Sequence, residues 1–148
     1  MALALAGQGD AAYTAWLRAE VARLGIGAHV TWPGFLEGAA KWRALAAADV
    51  ALLPSYSESF GVAAVEAMAC ATPVIVSDQV ALSAEVREAG AGVATPCRVQ
   101  PLRDAIVTLA TDPARRQAMG AAGRRLYARR FTVAQAAQAM LRCYERIV

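Results

Sequence analysis

Glu58 and Glu66 are the residues of this chain best suited to chemistry, and they stand eight positions apart in one stretch. That stretch reads Pro54-Ser-Tyr-Ser-Glu58-Ser-Phe-Gly61-Val-Ala-Ala-Val-Glu66-Ala-Met-Ala-Cys70. The first backbone N–H groups of a helix lack intrahelical partners and carry the positive end of its dipole, so a loop feeding into a helix start favours an anion. Two carboxylates beside such a place conflict if both must serve the anion. They are compatible with a ligand that carries hydroxyl groups on either side of a phosphate, because an ionised carboxylate is purely an acceptor. In isolation the pair reads equally well as an electrostatic helix cap (Glu58) and a solvated surface residue (Glu66).

The positioning elements follow from the neighbouring pattern. Asp49 to Leu53 is an apolar run that reads as a buried strand, stopped by Pro54, which cannot donate to a sheet ladder. Gly61 to Cys70 reads as a helix, with Gly61 letting the backbone approach a ligand closely. Upstream, Leu3–Ala6 is a short apolar strand leading into Gly7-Gln8-Gly9, and Asp10 is a candidate N-cap. The following helix carries Tyr13, Trp16, Leu17, Val21 and Leu24 on one face, with Gly25 as its stop. Ala28–Trp32 reads as a second strand, ended by Pro33-Gly34. A helix over 37–48 is expected to bury Trp42 and Leu45, and Trp32 is also expected in the core. Downstream come a strand over 72–76, the loop Ser77-Asp78-Gln79, a helix over 82–89 and a strand over 93–95. Helices over 102–110, 113–130 and 131–148 complete the chain, the last with a stripe of Val133, Ala137, Met140, Leu141, Tyr144 and Ile147.

Strands alternating with helices give an α/β fold with a parallel, Rossmann-like or flavodoxin-like sheet of about five strands and a helical C-terminus. Ligands bind such sheets at the carboxyl ends of the strands. The loops Gly7–Gly9, Gly34–Leu36, Ser55–Gly61 and Ser77–Gln79 all fall there.

Composition narrows the alternatives. At 148 residues, 57% hydrophobic and 18% charged, the chain reads as one globular domain, residues 1–148, and not as a disordered segment. No apolar run nears the roughly 20 residues of a membrane span, and no signal-peptide pattern opens the chain. Cytoplasmic residence is the default, with peripheral attachment to a membrane left open. Cys70, Cys97 and Cys143 show no metal or redox spacing and read as small buried apolar residues. His29 is the single histidine, which argues against a triad or a histidine metal site, and no Asp-x-Asp pair is present to hold a divalent cation. Nine arginines lie from Arg103 to Arg146; a nucleic-acid surface would need them clustered on one face with aromatic interleaving, and the more economical reading is that they solvate helices.

The string Glu58-x-Phe60-Gly61, four residues, Glu66-Ala-Met-Ala69, three residues, Pro73-Val-Ile-Val76 resembles the donor-site signature of family 4 glycosyltransferases of the GT-B fold. Ala6-Gly7-Gln8-Gly9, Val30-x-Trp32-x-Gly34-Phe35, Ala48-Asp49-Val50 and Pro54-Ser55 lie around it in the matching order. The resemblance covers essentially the whole chain and is to the C-terminal, donor-binding domain. It implies transfer of a sugar from a nucleotide diphosphate sugar to an acceptor hydroxyl, with retention and without metal or other cofactor. It assigns the donor sugar's hydroxyls to Glu58, as the catalytic position, and the ribose to Glu66. The sugar or distal phosphate falls to the amides of Phe60, Gly61 and Val62, and the nucleotide's surroundings to Gly7, Gly9, Gly34 and Phe35.

Three departures qualify the match. Ala71 stands where the family usually has glycine. Of a Gly-Gly-x-x-Glu stretch, only Glu85 is matched in Ala81-Leu-Ser-Ala-Glu85. The family's first strand–helix unit, with its Arg and Lys for the diphosphate, and its acceptor-binding N-terminal domain have no counterpart here. Two lost charge-assisted contacts weaken donor binding by about 10²- to 10⁴-fold, so the chain alone is expected to be inactive or weak. The family strand order 3-2-1-4-5-6 without its central strand becomes flavodoxin-like 2-1-3-4-5 if the neighbours close up. In the family the last helix crosses onto the N-terminal domain. Here its stripe is expected to meet a partner chain carrying that domain, or a second copy in a homodimer. The alternatives are a non-catalytic nucleotide-binding module and a protein-interaction module derived from such an enzyme.

Overall fold

The computed structural model describes residues 1–146; Ile147, the end of the expected apolar stripe, lies outside the described residues. The chain divides into two compact units, Met1–Lys41 and Trp42–Val148.

In the first unit, β1 (Leu3–Ala6) pairs in parallel with β2 (Val30–Gly34), in the register Leu3↔Val30 and Ala4↔Thr31, shifting before Ala6↔Gly34. The crossover is α1 (Ala11–Arg23), capped by Asp10, whose Oδ1 accepts from the Tyr13 amide at 2.9 Å. A 3₁₀ turn over Gly27–His29 replaces the first residues expected of β2. No residue of α1 is buried. Tyr13 and Trp16 are each more than half exposed and stack on one another at 5.6 Å, and Leu24 is exposed, so the apolar face is not covered. The reason is width. Two strands about 4.8 Å apart span no more than one helix diameter, so the sheet cannot shelter a whole helix face.

The helix α2 (Gly38–Ala47) carries the chain out of the first unit. Its Leu45 packs against the core of the second, whereas Trp42, expected to be buried, is exposed. Trp32 is half-buried.

The second unit runs β3 (Ala51–Leu53), α3 (Val62–Ala69), β4 (Val74–Ser77), α4 (Ser83–Glu88), β5 (Gly92–Thr95), α5 (Val99–Thr111), α6 (Pro113–Arg130) and α7 (Val133–Tyr144). Its sheet order is β3-β4-β5, all parallel, with Leu52↔Ile75↔Val93 in register. β4 is buried throughout, which explains its unbroken apolar run. Val74 and Val76 join Ala67, Met68, Val86 and Leu126 on one face, while Ile75 meets Ala105 and Leu109 on the other. β3 is only half-buried, being an edge strand.

The fold class is therefore α/β with five parallel strands, as expected, but the strands form a sheet of two and a sheet of three. Among the described residues β1 pairs with β2 in the first unit, and β3 and β5 flank β4 in the second.

α6 approaches α3 closely because it carries glycine at the contact. A Cβ on Gly120 would lie 2.0 Å from the Ala71 carbonyl oxygen, and one on Gly123 would lie 3.0 Å from Met68 Cγ. α7 starts at Thr132, whose Oγ1 accepts from the Gln135 amide at 3.2 Å. It buries no residue, and Val133, Met140, Leu141 and Tyr144 are all exposed. Cys70 and Cys97 are half-buried and Cys143 is exposed, so the cysteines are less sheltered than expected. No helix of the described residues is long and apolar enough to cross a membrane.

Candidate functional site

In the second unit the candidate site is the loop between β3 and α3, and it is tied down at successive residues. After Pro54 ends β3, the Pro54 carbonyl accepts from Cys97 Sγ at 3.1 Å and the Ser55 carbonyl accepts from Ser77 Oγ. Ser77 is buried at the end of β4, and Cys97 lies just beyond β5. Side-chain donors thus continue the sheet's lateral bonding past the point where proline ends the ladder. Glu58 then forms an isolated parallel bridge with Val80: its amide donates to Gln79 O at 3.4 Å, and its carbonyl accepts from the Ala81 amide at 3.2 Å. Tyr56, between these ties, is 85% exposed.

The Glu58 side chain turns back on its own loop. Its Oε1 accepts from the Phe60 amide at 3.4 Å and the Gly61 amide at 3.3 Å. Two of the three amides expected to meet a ligand are therefore held by the first glutamate, and a ligand that uses them must displace this carboxylate. Gly61 adopts φ of +93°, and a Cβ there would lie 2.8 Å from Val80 Cγ1 and 3.3 Å from Leu53 Cδ2. The glycine is thus required by the fold's own packing, where the sequence suggests room for a ligand. Its carbonyl accepts from the Ala64 and Val65 amides, which opens α3. Val62 is exposed at the first turn, and Glu66 is half-buried one turn further along. Phe60 is half-exposed and meets the ring of Phe131 edge-on.

In the first unit Gly7, Gly9 and Gly34 line one cavity of about 570 Å³, together with Gln8, Arg18 and Trp32. The Gly7 amide donates to the Gly34 carbonyl at 2.8 Å, closing the two loops against each other. Arg18 places its guanidinium 4.5 Å from the centre of the Trp32 ring, a cation–π contact. Phe35 is 60% exposed and does not line this cavity. Glu85, the residue retained from the Gly-Gly-x-x-Glu pattern, faces Arg130 at 3.7 Å. Among the described residues no group of three His, Cys, Asp or Glu side chains is placed to share a metal ion.

The sequence reading missed the supports of the loop. Ser77 was legible as the polar end of an apolar strand, and Gly120 and Gly123 as glycines inside a helical pattern. Cys97 and Phe131 carry no comparable signal, since their roles depend on where the chain returns.

A family model for glycosyl transferases group 1 matches residues 1–126. The D-inositol 3-phosphate glycosyltransferase of Jonesia denitrificans is 36% identical over 133 residues, covering 88% of this chain and 31% of that protein. A GDP-mannose-dependent alpha-(1-6)-phosphatidylinositol dimannoside mannosyltransferase of Mycobacterium tuberculosis is 37% identical over 144 residues, covering 94% of this chain and 34% of its own. Among solved structures, HepE of Anabaena in complex with UDP and glucose superposes with a TM-score of 0.85 at 27% identity, over 97% of this chain and 40% of that one. The chain thus spans about a fifth to a third of the length of the curated relatives it matches.

Proposed function

The chain belongs to the glycosyl transferases of group 1, and we propose that it is the donor-binding portion of a retaining, metal-independent enzyme that moves a sugar from a nucleotide diphosphate sugar to an acceptor hydroxyl. The observation that carries this reading is the loop from Pro54 to Gly61. Four ties to the end of β4 and to the segments after β4 and β5 fix its backbone, and it delivers Glu58 and the amides of Phe60 and Gly61 to the start of α3. Glu66 follows on the same helix.

In this reading Glu66 accepts from the ribose hydroxyls. Glu58 leaves the two loop amides to accept from hydroxyls of the donor sugar, and the freed amides donate to the sugar or the distal phosphate. The exchange is near balance in hydrogen-bond count, so little is lost on opening the loop's internal bonds. What the residues supply is positioning and stabilisation of the leaving phosphate, and no side-chain nucleophile is required of them. HepE in complex with UDP and glucose, together with the GDP-mannose dependence in the mycobacterial relative's name, makes uridine and guanosine diphosphates the two nucleotides to try.

The test is calorimetric titration of the chain with UDP and GDP in the presence of a chelator. Millimolar or tighter binding of one of them, lost in Glu66→Ala, is the expected result. Absence of heat with both would overturn the donor-site reading and favour an interaction module.

A partner is the second part of the proposal. α7 offers Val133, Met140, Leu141 and Tyr144 with no residue buried beneath them, which favours contact with an acceptor-binding chain or with a second copy. Transfer activity is expected from that assembly and not from the isolated chain.

A further inference from the structure

The ties on residues 54–58 all come from the end of β4 and the segments after β4 and β5, whereas residue 60 is met from a different direction. The Phe60 ring packs edge-on against Phe131, with centroids 5.9 Å apart and planes at 81°. Phe131 stands at the end of α6, where its amide donates to Tyr127 O at 2.9 Å. It is partly buried against the same core cluster that holds Met68 and Leu126. Arg130 places its guanidinium 5.9 Å from the Phe131 ring while reaching Glu85 at 3.7 Å. The ring is thus fixed from below by the core and from one side by a tethered cation.

We propose that Phe131 is a positioning residue for the sugar end of the donor: its ring sets the Phe60 ring and, through it, the orientation of the Phe60 and Gly61 amides. The inference rests on the donor-binding reading for its ligand, but its first link, from ring to amide, holds without one. Phe60 is half-exposed, and losing its ring partner removes an anchor on the Cα that carries the peptide to Gly61, so the backbone torsions on either side are less restrained. Edge-to-face packing of this kind favours one rotamer beyond simple area burial. The ribose contact proposed for Glu66 lies further along α3 and does not depend on that peptide. Loss of the Phe131 ring should therefore separate nucleotide sugar from free nucleoside diphosphate.

The experiment uses Phe131→Ala, Phe131→Tyr and Phe131→Leu in this chain, the last keeping bulk without a ring edge. In nucleotide-free protein, ¹⁵N–¹H spectra and hydrogen exchange follow the Gly61 amide, with Leu109 on the opposite face of the sheet as the control for an intact fold. Affinities for UDP against UDP-glucose, and for GDP against GDP-mannose, are then compared. Expected in Phe131→Ala and Phe131→Leu are a shifted, faster-exchanging Gly61 amide and a preference for nucleotide sugar over nucleoside diphosphate reduced by about 3- to 10-fold. Phe131→Tyr should keep both at their starting values. An unmoved Gly61 amide in the leucine variant overturns the proposal whether or not any nucleotide binds. A moved amide with equal losses for nucleotide sugar and nucleoside diphosphate overturns its assignment to the sugar end. Failure of all four ligands to bind the parent chain would refute the donor reading instead, with the amide measurement still deciding the positioning role.

Discussion

Three helices of this chain end in the same way, and they set up an internal comparison. After α1 the Gly25 amide donates to Ala22 O and the Ile26 amide to Val21 O; after α4 the Gly90 amide donates to Arg87 O and the Ala91 amide to Val86 O. After α3 the Ala71 amide donates to Met68 O and the Thr72 amide to Ala67 O. Each is a Schellman ending, which needs a left-handed residue just past the helix cap. Gly25 and Gly90 supply it at φ of +67° and +64°, whereas α3 uses Ala71 at φ of +60°. For an alanine this conformation costs roughly 1–2 kcal/mol, from the approach of Cβ to the following carbonyl. Ala71→Gly removes that cost and gives back roughly 0.4–1 kcal/mol through the greater freedom of the unfolded chain. The methyl is exposed, so its deletion loses little burial. The net is a stabilisation of roughly 0.5–1 kcal/mol. With a urea m-value on the order of 1.5 kcal/mol/M, the unfolding midpoint rises by about 0.3–0.7 M. The reciprocal change Gly90→Ala should lower it by a similar amount, because a Cβ at Gly90 meets nothing within 4 Å and strain alone is introduced. Urea titration followed by circular dichroism, with m unchanged, measures both. An Ala71→Gly midpoint at or below that of the parent, alongside a destabilised Gly90→Ala, would refute the assignment of strain to Ala71.

Gly120→Ala should destabilise by about 1–3 kcal/mol despite alanine's better helix propensity, since the new methyl overlaps a backbone oxygen that cannot rotate away. Gly123→Ala, facing the flexible Met68 side chain, should be markedly milder in the same thermal melts. Ser77→Ala strips the buried tie to the Ser55 carbonyl, with an expected cost of about 1–2 kcal/mol and faster hydrogen exchange at the Glu58 amide. Paired Met140→Glu and Leu141→Asp changes on α7 should abolish any concentration-dependent association seen by sedimentation. They should leave the melting temperature within about 2 °C, as neither side chain is buried.

The legible parts of the structure are those that local chemistry decides. The proline at 54, the glycine at 61 and the apolar run at 74–76 place a strand, a loop and a helix where the structure has them, and Asp10 caps α1 as its position implies. Burial is less legible, as α2 shows: periodicity marks a face that is able to be covered, yet Trp42, expected in the core, is exposed. The same holds for α7, whose apolar stripe is regular in sequence and bare in the structure. In the candidate site the carboxylates were legible as residue types, yet the first of them spends its acceptor capacity on Phe60 and Gly61. No spacing rule reveals that, because it depends on the loop being pinned by Ser77 and Cys97 from strands further along the chain.

In the second unit α3, α4 and α6 pack around Met68, Val86 and Leu126, with Gly120 and Gly123 fixing how near α6 can come. The ladder β3-β4-β5 is buried at its centre along β4, while Leu52 of β3 is 36% exposed. The Pro54–Gly61 loop leaves from β3, and this gives its side-chain ties their importance. A three-residue strand bonded on one side holds the following loop weakly, and the donors from Ser77 and Cys97 supply lateral bonding beyond Pro54 that the ladder cannot.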